Sequence, residues 1–310
     1  MAGPLRVEHD VETARWVQAS LADFGSVAAN VPPIYDAYAR ILHPATLSAP
    51  TGETDAFGGV EQATREISWA QAAELRGEER AKSEAWSVWL SRFGEDWIEV
   101  PPGRRLEGQA LPRGTSIGPP HLGDIPVGLL AALAELLLDE HGDAEVLAAV
   151  WEGRELDVTN PGTVMFWTDD PELAEQHPRD HRAAQAEHEA AVRASIDPEI
   201  TVAMQRQHVL GLPGEQQGRG HVLLRGPLGA FADPAWEREA GLGWRPEWPF
   251  QGRTPNAIWP VRPHATPAWF IATDLDLDVT LLGGSAHLIG RLLAHPAIEA
   301  ERIRPTDPLL

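Results

Sequence analysis

The sequence lacks cysteine and has little positive charge, and each shortage restricts its chemistry. Without cysteine the chain forms no disulfide, thiol nucleophile or thiolate metal ligand. Lys82 is the single lysine, and it lies among charged residues typical of an exposed surface, so lysine-dependent catalysis has one poor candidate. The formal net charge of -21 repels phosphate backbones and anionic lipids, so we expect neither a nucleic-acid partner nor a membrane partner.

Long apolar runs are also scarce. The longest lies within residues 125–138 and is interrupted by Glu135, which makes it too short and too polar to span a bilayer. The first 15 residues carry acids and no apolar stretch, unlike a signal peptide. Together with the absence of cysteine, these features predict a cytoplasmic protein. The hydrophobic content of 43% is enough for a large core.

Apolar spacing and breaker residues predict helices and strands without a regular alternation. The helices are predicted at 9–23, 34–42, 67–76, 126–141 and 286–293. The strands are predicted at 145–151, 200–210, 221–225 and 267–273, and irregular structure at 45–60, 101–123 and 233–263. This order predicts an α+β fold, with N-terminal helices packed on a mixed or antiparallel sheet formed mainly by the C-terminal half. We expect one unit over residues 1–310, or a subdivision into 1–100 and 124–310.

Three phrases of the sequence carry a resemblance to other proteins. They are AYARILHP at 37–44, LLRGPL at 223–228, and ATDLD at 272–276 followed by GGS at 283–285. The chain resembles a family of actinobacterial proteins without an assigned activity. The resemblance implies a cytosolic protein from a bacterium with a GC-rich genome, and it implies no mechanism.

The segment 236–269 combines tryptophan and arginine in a stretch with few helix or strand signals. Long irregular segments in compact domains are commonly functional. Tryptophan and arginine together are typical of recognition surfaces that bind a small anionic ligand or a protein partner. The candidate ligand-binding residues in and near it are Arg225, Arg245, Trp248, Arg253, Asn256, Trp259 and Arg262. The alternative is that the tryptophans fill the core and the arginines pair with nearby glutamates.

A second candidate site is the alternating run Asp274, Asp276 and Asp278. In a strand these three carboxylates share one face, where a hard divalent cation such as Mg²⁺ or Ca²⁺ would neutralise them. The alternative is a solvated polar face opposite the apolar residues between them. The chain has no G-x-S-x-G, Walker A or G-x-G-x-x-G motif, so no cofactor is predicted beyond that cation.

The sequence therefore favours a non-catalytic binding or protein-interaction module that uses segment 236–269. The alternative is a metal-dependent, hydrolase-like enzyme that uses the aspartate run, so the sequence leaves catalysis open. A third hypothesis is an adaptor whose acidic surface binds a basic partner, which would show steep salt dependence.

Overall fold

The computed structural model describes residues 4–22, 25–54, 59–77, 97–153, 156, 190–191, 194–206, 210–212, 219–243, 254–261 and 266–309. Within these residues the fold is α+β with a large antiparallel sheet, which confirms the predicted class. The helices are α1 (Arg15–Ser20), α2 (Trp69–Arg76), α3 (Val127–His141), α4 (Pro198–Gln205) and α5 (Ala286–Leu293). Short 3-10 helices cover Val11–Ala14, Val27–Ala29, Leu228–Ala232 and Trp236–Arg238.

The strands form one large sheet, a smaller sheet and a short hairpin. They are β1 (Arg6–Val7), β2 (Ala37–Leu42), β3 (Ala45–Thr54), β4 (Val60–Ile67), β5 (Ile98–Glu99), β6 (Arg105–Leu106), β7 (Gln109–Ala110), β8 (Ser116–Gly118), β9 (Glu145–Trp151), β10 (Leu210–Leu212), β11 (Arg219–Pro227), β12 (Ala257–Pro260), β13 (Phe270–Ala272), β14 (Val279–Gly284) and β15 (Ala300–Ile303). The central sheet has the order β1-β11-β9-β12-β13-β14-β2-β15, and β10 joins the same edge of β11 as β1. The smaller sheet has the order β4-β3-β8-β5.

Both faces of the central sheet are buried. Ala39 and Ile41 of β2 belong to one apolar cluster with α3 and α5, whereas Tyr38 and Leu42 belong to a second cluster with α2 and the smaller sheet. Alternate residues of a strand point to opposite faces, so a strand buried on both sides reads as a continuous apolar run. For this reason the sequence of β2 does not show the alternation by which a strand is recognised.

The helix predicted over 34–42 is therefore wrong, because Ala37–Leu42 is strand β2. Tyr35, Tyr38 and Ile41 recur at intervals of three, which imitates a helix face. β2 pairs with β14 and β15, so the N-terminal part of the chain supplies an inner strand of the central sheet. The loop predicted at 45–60 is wrong as well, because Ala45–Thr54 is β3.

Two predictions in the C-terminal half also need correction. Residues 198–205 form helix α4 and not a strand, because Asp197 caps the helix by accepting from Glu199 N and Pro198 occupies its first turn. The β-branched run Ile200–Val202 favours a strand, but the helix start decides the structure. The irregular stretch predicted at 233–263 contains β12, an inner strand of the central sheet.

Helices α2, α3 and α5 are confirmed within a residue or two of their predicted bounds. Ser68 and Gln71 form a capping box at the start of α2, and Gly77 ends that helix in the left-handed conformation. Ser285 caps α5 by accepting from Leu288 N at 3.1 Å. Among the described residues, no helix combines the length and the apolar character needed to cross a membrane.

Candidate functional site

Polar side chains gather at one end of the central sheet. Because neighbouring strands run antiparallel, this end contains the starts of β11, β12 and β14 and the ends of β2, β9 and β13. The polar residues at or next to these strand ends are Arg219, His221, Asn256, Thr273, Asp274, Thr280 and His43. The fold thus brings together residues from distant parts of the chain.

Arg219, the first residue of β11, is held by charges and by an aromatic ring. Its Nη1 lies 3.3 Å from Asp274 Oδ1 and its Nη2 lies 3.0 Å from Asp276 Oδ2. The guanidinium carbon lies 6.0 Å from the centre of the Trp151 ring, within cation–π range. These contacts fix the orientation of a group that still has further N–H donors.

A recess opens beside Arg219, which we call the end recess. Its cavity volume is about 30 Å³, and it is open to solvent on one side. Its polar lining includes Arg219, His221, Asn256, Thr273, Asp274 and Asn30, and its apolar lining includes Val17, Leu21, Leu212 and Phe270. That volume is enough for one or two waters or one small polar group.

Asn30 contributes an unsatisfied amide to this lining. The residue follows the 3-10 helix Val27–Ala29, and its backbone N–H donates to Val27 O at 3.0 Å. Its side-chain Nδ2 is buried and has no hydrogen-bond partner among the described residues. A buried donor without an acceptor costs about 1–3 kcal/mol, so an acceptor in the recess would recover that cost.

Asn256 lies in the recess as well, but its amide is engaged within the protein. Its Oδ1 accepts from Trp151 N at 2.9 Å, and its Nδ2 donates to Gly123 O at 3.3 Å and to Thr273 O at 3.4 Å. The residue joins β9, β13 and the loop before α3. The structure therefore shows a bridging role for this predicted ligand-binding residue.

His221 is a neutral base in the wall of the recess. Burial, helped by the charge of Arg219, lowers the pKa of the imidazole to about 4. Its Nδ1 lies 2.8 Å from Arg219 O and donates to that carbonyl. The ring therefore stays uncharged at neutral pH and supports the backbone beside Arg219.

A chain of hydrogen bonds leads from the recess to a second buried histidine. Thr273 Oγ1 lies 2.7 Å from Thr280 Oγ1, which lies 2.8 Å from His43 Nε2. His43 Nδ1 donates to His121 O at 2.8 Å, so Nε2 is the acceptor of the Thr280 hydroxyl. Burial lowers the pKa of His43 to about 4.

The predicted aspartate run lies at the same end of the sheet but not in a strand. β13 ends at Ala272, and the next residues form a turn in which Leu277 N donates to Asp274 O at 3.1 Å. The expected alternation on one face is therefore wrong. Asp274 and Asp276 bind Arg219, and among the described residues no group of three histidines or acids is arranged to hold a metal ion. A divalent cation at Asp274, Asp276 and Asp278 stays a prediction.

The predicted tryptophan and arginine residues do not assemble in the part of the chain that the structure describes. Trp259 is buried in the core, where its ring stacks on Phe270 with centroids 5.2 Å apart, so it is a packing residue. Trp236 and Trp269 are buried too. The remaining predicted residues, Arg245, Trp248, Arg253 and Arg262, lie outside the described residues.

Arg225 lies at the opposite end of β11 from the recess. It binds Glu8 Oε2 and Glu145 Oε2, each at 2.8 Å. Burial acts to raise the pKa of Glu8, but the hydrogen bond and the charge of Arg225 outweigh it and lower that pKa. The hydrogen bond from Arg225 also lowers the pKa of Glu145. These pairs fasten β1 to the sheet, so the described geometry gives Arg225 a structural role.

Sequence reasoning missed Arg219, His221 and Asn30. The pattern Arg-Gly-His at the start of a predicted strand is the only signal for the first two, and an isolated asparagine after a short helix carries none. Comparisons with known proteins found no matching family model, no matching curated protein and no matching solved structure. The geometry of the molecule is therefore the basis for a functional proposal.

Proposed function

We propose that the protein is a non-catalytic binding module that holds a small carboxylate-bearing ligand in the end recess. The observation that carries this proposal is the meeting of the Arg219 guanidinium and the unsatisfied Asn30 amide in one lining. Guanidinium and amide N–H groups are the natural donors for a carboxylate. This agrees with the small anionic ligand expected from the sequence, although the residues differ.

The contacts around Arg219 support the binding role. Asp274, with a side chain only 11% exposed, and the Trp151 ring hold the guanidinium in place before a ligand arrives. A group fixed in advance loses less conformational entropy on binding. Leu21 and Leu212, which are both partly exposed, supply apolar contact for the body of the ligand.

The charges around Arg219 limit how a ligand carboxylate can bind in the recess. Asp274 and Asp276 outnumber the single charge of Arg219, so a ligand carboxylate must displace one of them from the arginine. Asp276 is the easier to displace, because its side chain is 73% exposed and a pair at that exposure contributes little. We therefore expect binding that weakens as the salt concentration rises.

The test is calorimetric titration of the full chain with acetate, propionate and succinate, alongside acetamide and 1-propanol as neutral controls. Arg219→Met and Asn30→Leu should each weaken carboxylate binding about ten-fold or more, the loss expected for a charge-assisted hydrogen bond. Arg225→Met is the matched control, because it removes a doubly paired arginine from the same strand at the other end. Binding that survives in Arg219→Met, or carboxylates that bind no better than the neutral controls, would contradict the proposal.

A further inference from the structure

A second and larger cavity lies on the side of the molecule where the smaller sheet meets α3. Its volume is about 370 Å³, within the range of about 300–1,000 Å³ that small-molecule sites occupy, and it is open to solvent. We call it the α3 groove. Its apolar lining includes Leu42, Pro44, Ile67, Leu129 and Ala132, and its polar lining is Glu66, Ser68, Gln71 and Glu299.

The polar part of the α3 groove is acidic. The carboxylate of Glu299 is fixed, because it accepts from Trp69 N at 2.7 Å and from Ala70 N at 3.2 Å at the start of α2. Glu66, the last residue but one of β4, has no cationic partner among the described residues. Glu66 as a whole residue is exposed, and desolvation on its protein-facing side raises the pKa of its carboxyl.

Gly128, in the first turn of α3, is an exposed residue at the rim of the groove. A Cβ atom built on it would meet no other atom within 4 Å, so a larger side chain can be introduced there without a clash. Leu129 and Ala132, on the same helix, continue the apolar wall.

We propose that the α3 groove binds an organic ammonium ion, with Glu66 as its counter-ion and the wall formed by Leu42, Leu129 and Ala132 packed against its hydrocarbon part. An ammonium group donates to carboxylate oxygens, which Glu66 and Glu299 supply in the lining. The volume and the apolar wall select against a bare metal ion, which needs a compact oxygen cage instead. The strong negative charge of the whole chain attracts such a cation. This site is separate from the end recess and does not depend on the function proposed for it.

The experiment titrates the full chain at pH 7.5 with n-butylammonium, n-hexylammonium and 1,4-butanediammonium, with 1-butanol as the neutral control at matched ionic strength. We expect saturable heat and a rise in Tm with the amines, and tighter binding as the alkyl chain lengthens. Glu66→Gln should weaken binding about ten-fold or more, because it removes the charge and keeps the shape. Glu61→Gln is the matched control, since Glu61 is an exposed acid on the same strand and does not line the groove.

A filling variant tests the location independently of charge. Gly128→Leu places a side chain in the empty space and improves helix propensity, so the variant should fold with a Tm at or above that of the wild type and lose amine binding. Gly128→Ala should keep most of the binding. Equal amine binding in Glu66→Gln, undiminished binding in Gly128→Leu, or no saturable response to any of the three amines would overturn the proposal.

Discussion

The two ends of strand β11 carry the same ionic motif in different surroundings. Arg219 and Arg225 are six positions apart on one strand, which places them on the same face, and each bridges two carboxylates. Beside Arg225 the edge strand β1 pairs with β11, so the ion pairs fasten one strand to another. Beside Arg219 the partners belong to a turn, and a recess with an unsatisfied amide lies next to the guanidinium. A doubly paired arginine therefore does not by itself indicate a binding site. The recess beside Arg219 is what distinguishes it from Arg225.

The largest expected effect on stability comes from a change of pH, because the two ends of β11 lose stability in different pH ranges. His221 and His43, both at the recess end, have folded-state pKa values lowered from 6.5 to about 4 by burial. The unfolded chain therefore takes up protons at a higher pH than the folded chain, and the free energy of unfolding must fall as the pH drops from about 6.5 to about 4. Each histidine contributes about 1.4 kcal/mol per pH unit over that window. Urea unfolding of the wild type and of His221→Gln between pH 4.5 and 7.5 measures it, and an unchanged slope in the variant would contradict the assignment.

The next effect in size concerns Arg225. Arg225→Met should lower the free energy of unfolding at pH 7 by about 1–3 kcal/mol, because Glu8 is only 15% exposed and would lose its cation. Glu145 is 44% exposed, so solvent screens its share. Since Arg225 lowers the pKa of both acids, its stabilisation is present above their ordinary pKa of 4.5 and disappears as the pH falls through the lowered values. Denaturant unfolding of both proteins at pH 7 and pH 3.5 checks this, and a difference that does not shrink at the lower pH would count against it.

A smaller effect is expected within the hydrogen-bonded chain at the recess end. Thr280→Val keeps the shape of the side chain and leaves His43 Nε2 and Thr273 Oγ1 without their shared partner. The free energy of unfolding should fall by about 1–2 kcal/mol, the cost of leaving buried polar atoms unpaired. Thr46→Val is the control, because Thr46 lies in β3 and takes no part in this hydrogen-bond network. An equal loss of unfolding free energy in Thr46→Val would mean that the network adds no stability of its own.

The two arginines should differ in binding and not in stability. Water screens Asp276, which is 73% exposed, but Asp274 is only 11% exposed and would lose its cation, as Glu8 would beside Arg225. Arg219→Met should therefore lower the free energy of unfolding by about 1–3 kcal/mol, as Arg225→Met does, and should also weaken carboxylate binding, which Arg225→Met leaves intact. Unfolding and calorimetric measurements on the two variants side by side decide the point. An equal effect of the two variants on binding would mean that both ends of the strand are structural.

The sequence predicts the helices of this fold better than its strands. Ser68, Gly142 and Ser285 are recognisable helix boundaries, and the helices next to them agree with expectation. The sequence does not predict β2 and β12. Each of these strands is buried on both faces, so neither shows the alternation of a half-exposed strand. The division of the chain into one or two units stays a prediction.

The candidate site is less predictable still, because its parts are far apart in the chain. Asn256 and Asp274 belong to the two sites predicted from sequence, and the structure brings both to one recess. Their chemistry differs from the expectation, since one amide bridges backbone groups and one carboxylate pairs with an arginine. Arg219 reaches the recess through strand pairings and Asn30 through the packing of the 3-10 helix Val27–Ala29, and no local pattern encodes either.

The position of β2 between β14 and β15 has a consequence for synthesis on the ribosome. Leu42 pairs with Val279, and Ile41 pairs with Ala300, so β2 must wait for partners more than 200 residues further along the chain. At 5–20 residues per second, that wait lasts roughly 10 to 50 s. During this time an apolar strand meant for the middle of a sheet has none of its neighbours in that sheet. The nascent chain must therefore be kept from aggregating by transient contacts or by a chaperone until its last strands emerge.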